Sequence, residues 1–133
     1  MNLPFFTWRA RCLLTLAVIA VVLGGTPASA GSNSLLSLTP DGRWLLVANA
    51  DNGSVSVVDT QSRKTVREIP VGRRPESVAV IGSGPHAVVT LYKDDQVAMI
   101  DFESGKVLAR IATPDEPYGV VTNTSGTKAY LTH

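Results

Sequence analysis

Residues 55–75 read VSVVDTQSRKTVREIPVGRRP, and residues 97–117 read VAMIDFESGKVLARIATPDEP. A shift of 42 positions aligns the two stretches without a gap and superimposes Asp59 on Asp101 and Pro75 on Pro117. Three glycines extend the same spacing to both sides: Gly42, Gly84 and Gly126. A period of this length is typical of a chain built from stacked copies of one supersecondary unit.

Each repeat contains four short apolar segments that are rich in β-branched residues and separated by turn residues, which favours strands over helices. The predicted strands are 35–38, 44–48, 54–59 and 65–69 in the first repeat, and 77–81, 87–91, 96–101 and 106–111 in the second. Pro40-Asp41-Gly42 predicts a tight turn, and Asn52-Gly53 predicts a type I′ hairpin. The alignment places Gly84 in the same kind of turn as Gly42, with an expected positive φ angle.

Four antiparallel strands in about 42 residues form one blade of a β-propeller, so the predicted fold is all-β. The partial propeller of residues 31–133 is predicted to contain blade 1 at about 34–75, blade 2 at about 76–117 and the start of blade 3 at 118–133. Propellers close with four to eight blades. Either the chain is a fragment of a longer propeller, as we expect, or it closes a ring by assembling with other chains.

Residues 1–30 have the organisation of a signal peptide. Arg9 and Arg11 precede an apolar run at 12–23, and Ala28-Ser29-Ala30 supplies the small residues of a cleavage site after Ala30. The run is shorter than the roughly 20 residues of a membrane-spanning helix, although an uncleaved anchor is the alternative. We therefore expect export to the periplasm, the cell surface or the medium, with no stable membrane span after cleavage.

The motifs around these strands resemble the YVTN family of bacterial and archaeal β-propeller repeats. Residues 46–49 (LVAN) and 130–133 (YLTH) are similar to its YVTN strand, residues 55–60 (VSVVDT) to its V-x-V-I-D-T strand, and residues 69–75 (IPVGRRP) to its closing turn. The resemblance covers nearly all of residues 34–133. It implies a propeller like those of surface-layer-type and lactonase-like seven-bladed proteins, whose links between blades surround a central channel.

The composition excludes several kinds of chemistry. Cys12, the only cysteine, lies in the predicted signal peptide, so the mature chain has no disulfide, thiolate metal site or cysteine nucleophile. Ten Lys or Arg and eleven Asp or Glu follow residue 30, and this near-neutral balance does not predict nucleic-acid binding. Residues 82–87 fit G-x-G-x-x-A, but a predicted strand follows, so there is no helix N-terminus to hold a pyrophosphate.

The polar residues of the repeats have mostly structural interpretations. Asp59 and Asp101 each end a third strand and are expected to accept N–H bonds from the following turn. Asp94-Asp95 is expected to be solvated charge in an exposed turn. The two histidines, His86 and His133, lack metal-ligand spacing. We therefore predict no catalytic residue, no metal site and no cofactor in the visible chain.

The best candidates for ligand binding are found by their position in the repeat. Arg74 and Glu76 flank Pro75, and Glu116 and Tyr118 flank Pro117 at the matching place. The family resemblance implies that these links approach the mouth of the channel, where propellers usually bind. Loops on a rigid scaffold are common sites of binding.

Three functions remain open after this reasoning. The preferred one is a non-enzymatic exported scaffold that binds a protein, an envelope component or a small ligand through loops at the channel face. The second is the N-terminal part of a lactonase-like propeller hydrolase. The third is the propeller part of a periplasmic redox protein, with its cofactor in another domain. The fold alone does not choose among them.

Overall fold

The computed structural model describes residues 35–133, and the predicted signal peptide at 1–30 lies outside them. The described residues form ten β-strands. Their bounds are β1 Leu36–Leu38, β2 Trp44–Asn49, β3 Ser54–Asp59, β4 Lys64–Pro70, β5 Pro75–Val80, β6 His86–Leu91, β7 Gln96–Asp101, β8 Lys106–Ala112, β9 Val120–Thr122 and β10 Ala129–Leu131. The eight strands predicted for the two full repeats are confirmed, each to within two residues.

The strands form two four-stranded antiparallel meanders, β1-β2-β3-β4 and β5-β6-β7-β8, and a two-stranded β9-β10 sheet. The register repeats with the sequence, because Leu46 pairs with Val57 and Val88 pairs with Met99, 42 residues further on. An irregularity in the pairing with the outer strand also recurs, after Val57 and after Met99. The predicted all-β fold with four-stranded propeller blades is therefore confirmed.

Two apolar layers hold the blades together. The layer between blades 1 and 2 contains Leu46, Val55, Val57, Ile69, Val78, Val89, Leu91, Ile100 and Phe102, all nearly inaccessible to solvent. A smaller layer between blade 2 and the start of blade 3 contains Ala79, Val88, Val97 and Val120. Alternation along β5 divides its side chains between the layers, with Val78 and Val80 facing blade 1 and Ala79 facing blade 3.

The opposite face of blade 1 remains accessible. Leu36 is 46% exposed and Leu38 is 43% exposed. By the 42-residue shift these leucines correspond to Val78 and Val80, which pack against blade 1. The pattern that buries blade 2 on blade 1 is thus repeated on the outer face of blade 1.

The carboxylates that end β3 and β7 act as predicted. Asp59 Oδ1 accepts hydrogen bonds from the N–H groups of Gln61 (2.8 Å) and Ser62 (3.0 Å). Asp101 Oδ1 accepts the equivalent bonds from Glu103 and Ser104. These bonds satisfy backbone donors in the turn before the outer strand, so the structural interpretation is confirmed.

Two turn predictions are wrong. The loop between β2 and β3 has four residues, 50–53, and only Gly53 has a positive φ (67°), whereas a type I′ turn needs two such residues. In the β5–β6 turn of blade 2, the residue with a positive φ is Gly82 (58°) and not Gly84.

The reason for the difference at Gly84 is the residue that closes the turn. Thr39 Oγ1 accepts the Trp44 N–H in the first copy, and Asn123 Oδ1 accepts the Lys128 N–H in the third. Ile81 occupies this place in the second copy and offers no side-chain acceptor. The chain there turns at Gly82 instead.

Candidate ligand-binding site at the links between blades

The links between blades lie beside the hairpins that join the second and third strands. The N–H of Val71 donates to the Gly53 carbonyl oxygen, and the N–H of Thr113 donates to that of Asp95, both at 2.9 Å. The first link then reaches the next blade, where the Tyr92 N–H donates to the Arg74 carbonyl oxygen at 3.0 Å. Links and hairpins therefore form one continuous end of the molecule.

Both links hold a non-glycine residue in the left-handed region. Arg74 has a φ of 52° and Glu116 a φ of 56°, and each precedes a buried proline. Such a conformation costs of order 1–3 kcal/mol and persists only where the surroundings impose it. The two residues share a backbone conformation and carry opposite charges.

Tyr92 brings the predicted residues together. Its hydroxyl donates to Glu116 Oε2 at 2.6 Å, and its ring lies 4.5 Å from the Arg74 guanidinium carbon. The Tyr118 ring meets it edge-on, with 6.4 Å between centroids. Arg74 Nε donates to Glu76 Oε1 at 2.6 Å. All four residues singled out from the sequence thus belong to one cluster, although a ligand-binding role for them stays a prediction.

Tyr92 and its neighbour Lys93 also belong to the cluster, although the sequence pattern did not predict them. The Lys93 ammonium lies 4.9 Å from the Tyr92 centroid and 3.5 Å from Glu116 Oε1. Tyr92 aligns with Ala50 in the first repeat, so the repeat comparison gave no signal for it. The meander topology could have predicted this neighbourhood, since it places the β6–β7 hairpin, which contains both residues, at the same end of the blade as the links.

The hydrogen bond between Tyr92 and Glu116 shifts the pKa of both groups. The pKa of Tyr92 is raised, chiefly because its hydroxyl donates to the Glu116 carboxylate. The pKa of Glu116 is lowered because it accepts that bond. At neutral pH the phenol is therefore a neutral donor and the carboxylate is charged.

The expectation that Asp94-Asp95 is solvated charge is wrong for Asp94, whose side chain is 18% exposed, while Asp95 is exposed as expected. Asp94 accepts the Arg73 N–H at 2.7 Å and the Arg73 Nε–H at 2.5 Å. Asp95 Oδ1 accepts the Glu116 N–H at 2.9 Å. Partial burial would raise the pKa of Asp94, but these bonds from Arg73 outweigh it and hold the pKa below its usual value. The two carboxylates fix the links on either side of blade 2.

The arrangement is suited to binding. Tyr118 is 56% exposed, and the side chain of Arg74 is 49% exposed. Among residues 35–133, no three His, Cys, Asp or Glu side chains stand close enough to hold a metal ion. His86 lies outside the cluster, in register with Asp101 on β7, and His133 is the last residue of the chain. Within the part of the chain that the structure describes, no helix is long and apolar enough to cross a bilayer.

Comparisons with known proteins agree with this architecture. The family model described as YNCE-like beta-propeller matches residues 20–128. A segment of Kuenenia stuttgartiensis hydrazine synthase superimposes with a TM-score of 0.71 and 27% identity, over 81% of this chain and 31% of that one. Apo AztD from Citrobacter koseri superimposes with a TM-score of 0.54 and 17% identity, over 62% of this chain and 24% of that one. No curated protein sequence matches the chain.

Proposed function

Because the chain belongs to the YNCE-like β-propeller family, we propose that it is part of an exported β-propeller scaffold that binds a partner through its link end. The partner is a protein, an envelope component or a small ligand. The signal-like segment at 1–30 supports export to the periplasm or cell surface.

The cluster around Tyr92 is the observation that supports this proposal. Two links keep Arg74 and Glu116 in a strained conformation, and the strain orders exposed groups of both charges beside two aromatic rings. Strained residues of this kind gather at binding sites, where ordering before binding reduces the entropy lost on association. Tyrosine and arginine are also the residues that contribute most often to binding energy.

The chain spans about a third of the hydrazine synthase subunit and about a quarter of AztD. The activity of the whole protein is therefore part of the proposal. We infer that further blades, in the same chain or in an assembly, cover the exposed face of blade 1.

Site-specific photocrosslinking tests the binding role. A benzophenone amino acid replaces Tyr118 in the full chain, expressed with its own N-terminus in its source cells. Val66 provides the control, because it is 51% exposed but lies in β4, the outer strand of blade 1, away from the cluster and from the faces that pack between blades. Adducts are identified by mass spectrometry of the purified protein, which detects protein and small-molecule partners alike.

We expect a discrete adduct at position 118 and none at position 66. Equal labelling at both positions, or labelling at neither, would overturn the proposed site. N-terminal sequencing of the same material checks export, with Gly31 as the expected first residue. A retained Met1 in the cytosolic fraction would contradict it.

A second candidate function is the propeller part of an enzyme. The 27% identity with a segment of hydrazine synthase favours it, because that propeller is part of an enzyme. The visible spectrum and intact mass of the protein purified from its source distinguish the two. A bound chromophore together with a mass well above that of a single propeller, about 30–40 kDa for seven or so blades, would favour the enzyme.

A further inference from the structure

A crevice opens between blades 1 and 2 at the end opposite the links. Its volume is about 130 Å³. It is bordered by the β1–β2 turn, the β5–β6 turn and the start of the β7–β8 turn. Its lining includes two carboxylates and two aromatic rings, those of Asp41, Glu103, Trp44 and Phe102.

Two carboxylates line the crevice, those of Asp41 and Glu103. Asp41 Oδ1 accepts hydrogen bonds from the Thr39 hydroxyl and from the Arg43 N–H. The Thr39 bond is the main cause of a lowered pKa at Asp41. The exposed Glu103 side chain makes no hydrogen bond or ion pair with residues 35–133.

No lysine or arginine of the described chain lines this crevice. The nearest cation along the chain, Arg43, donates from Nη2 to Asp59 Oδ2 at 3.0 Å, so its charge is offset. Its guanidinium carbon lies 4.9 Å from the Trp44 ring centroid. The Trp44 ring therefore already acts as a cation–π acceptor, and tryptophan is the best of the aromatic residues in that role.

The repeat does not impose this composition. The crevice between blade 2 and the start of blade 3 is lined by Ile81, Val88, Thr122, Gly126, Thr127, Lys128 and Ala129. It has a lysine and contains neither a carboxylate nor an aromatic ring. The combination of Trp44 and Phe102 with Asp41 and Glu103 is specific to the first crevice.

We propose that the crevice between blades 1 and 2 binds a small organic cation, an alkylammonium group on a short carbon chain. The carboxylates of Asp41 and Glu103 pair with its ammonium charge, and the Trp44 and Phe102 rings pack against its methylene groups. A liquid water molecule occupies about 30 Å³, so the space corresponds to roughly four waters and accepts a chain of butyl length. This site is separate from the link-end cluster and does not depend on the proposed function.

The test titrates the full chain with butylammonium and follows tryptophan fluorescence, with Trp44→Phe assigning the response to Trp44. Butanol and butyrate are the matched neutral and anionic probes. We expect a saturable response to butylammonium, at least tenfold weaker binding of butanol and no response to butyrate. Equal affinity for butanol and butylammonium would overturn the proposal.

Glu103→Gln removes one carboxylate from the crevice, and Asp115→Asn removes one from the link end as the matched control. A partly exposed ion pair contributes only modestly to binding, so Glu103→Gln should weaken butylammonium binding about two- to fivefold. Asp115→Asn should leave it unchanged, and a circular dichroism spectrum checks that each variant folds. Equal affinity of the two variants would refute the role of Glu103. The Nα-acetyl-lysine N-methylamide, whose ε-ammonium group is free, represents a lysine side chain of a protein. If it binds more than tenfold tighter than butylammonium, the site takes a protein side chain instead of a free amine.

Discussion

Three glycine-to-alanine substitutions separate backbone strain from steric clash in the turns of blades 1 and 2. Gly42 has a φ of 71° and nothing within 4 Å of the place where a Cβ would be. Gly53 has a φ of 67°, and its Cβ would lie 2.5 Å from the Gly72 carbonyl oxygen. Gly84 has no positive φ, and its Cβ would lie in ordinary contact, 3.7 Å from His86 Nδ1.

The expected changes in the free energy of unfolding follow from these differences. Alanine in the left-handed region costs about 1–2 kcal/mol, and its smaller unfolded-state entropy returns about 0.4–1 kcal/mol. Gly42→Ala should therefore lose about 1 kcal/mol. Gly84→Ala causes no left-handed strain and only reduces the entropy of the unfolded state, so the free energy of unfolding should be unchanged or rise by about 0.4–1 kcal/mol. Gly53→Ala adds a clash with backbone and should lose well over 2 kcal/mol.

Thermal unfolding of the full chain, followed by circular dichroism, measures the series. For a domain of this size, 1 kcal/mol corresponds to about 4–8 °C in Tm. The expected order of Tm is Gly84→Ala at or above the unchanged chain, then Gly42→Ala, then Gly53→Ala. A loss at Gly84→Ala equal to that at Gly42→Ala would show that the second turn has the conformation expected from the repeat alignment, and would refute the turn at Gly82.

Ile100→Ala should lose about 2–5 kcal/mol in urea unfolding because Ile100 is fully buried between blades 1 and 2; a loss under 1 kcal/mol would contradict that packing. Thr90→Val should lower the free energy of unfolding by about 1–3 kcal/mol, because it removes the partly buried 2.8 Å bond to the Tyr118 carbonyl oxygen, while Thr90→Ser should keep most of that stability. If Thr90→Val unfolds at the same urea concentration as the unchanged chain, that hydrogen bond does not contribute to stability. The pKa of Asp101 is lowered, chiefly because its carboxylate accepts a hydrogen bond from the Ser104 N–H. The stability that Asp101 adds to the fold is therefore present above the usual pKa of 3.8 and is lost as the pH falls through the lower pKa of the folded state. Asp101→Asn should weaken the fall in Tm between pH 6 and pH 3, and an unchanged pH profile would count against that bond.

The strands were predictable because their signals are local and occur twice. In β3 and β7 the β-branched or apolar residues, the closing aspartate and the following turn all recur at the 42-residue spacing. The capping bonds of Asp59 and Asp101 need only groups two and three residues away. A repeated local pattern leaves few alternatives for the backbone.

The candidate site was predictable only in part. Arg74, Glu76, Glu116 and Tyr118 were found because the links align between repeats. Tyr92 was missed because it has no equivalent in the first repeat, and its contacts with Arg74 and Glu116 span 18 and 24 residues. Asp94 was judged as an exposed turn residue because its partner Arg73 is 21 residues away, in the preceding link. Non-local pairs of this kind depend on how blades stack, which a local pattern does not contain.

The positive φ angles separate what the two blades share, the backbone conformation, from what differs between them, the side chains. Gly53 and Asp95 share this conformation at matching positions, as do Arg74 and Glu116. At these positions the backbone conformation is therefore the same in both blades even though the side chain changes from glycine to aspartate or from arginine to glutamate. Since the scaffold tolerates these exchanges, the chemistry of each link is decided by side chains such as Tyr92 that occur in one blade only. Side-chain differences at positions where the copies share one backbone conformation are thus the places at which this fold acquires a specific surface.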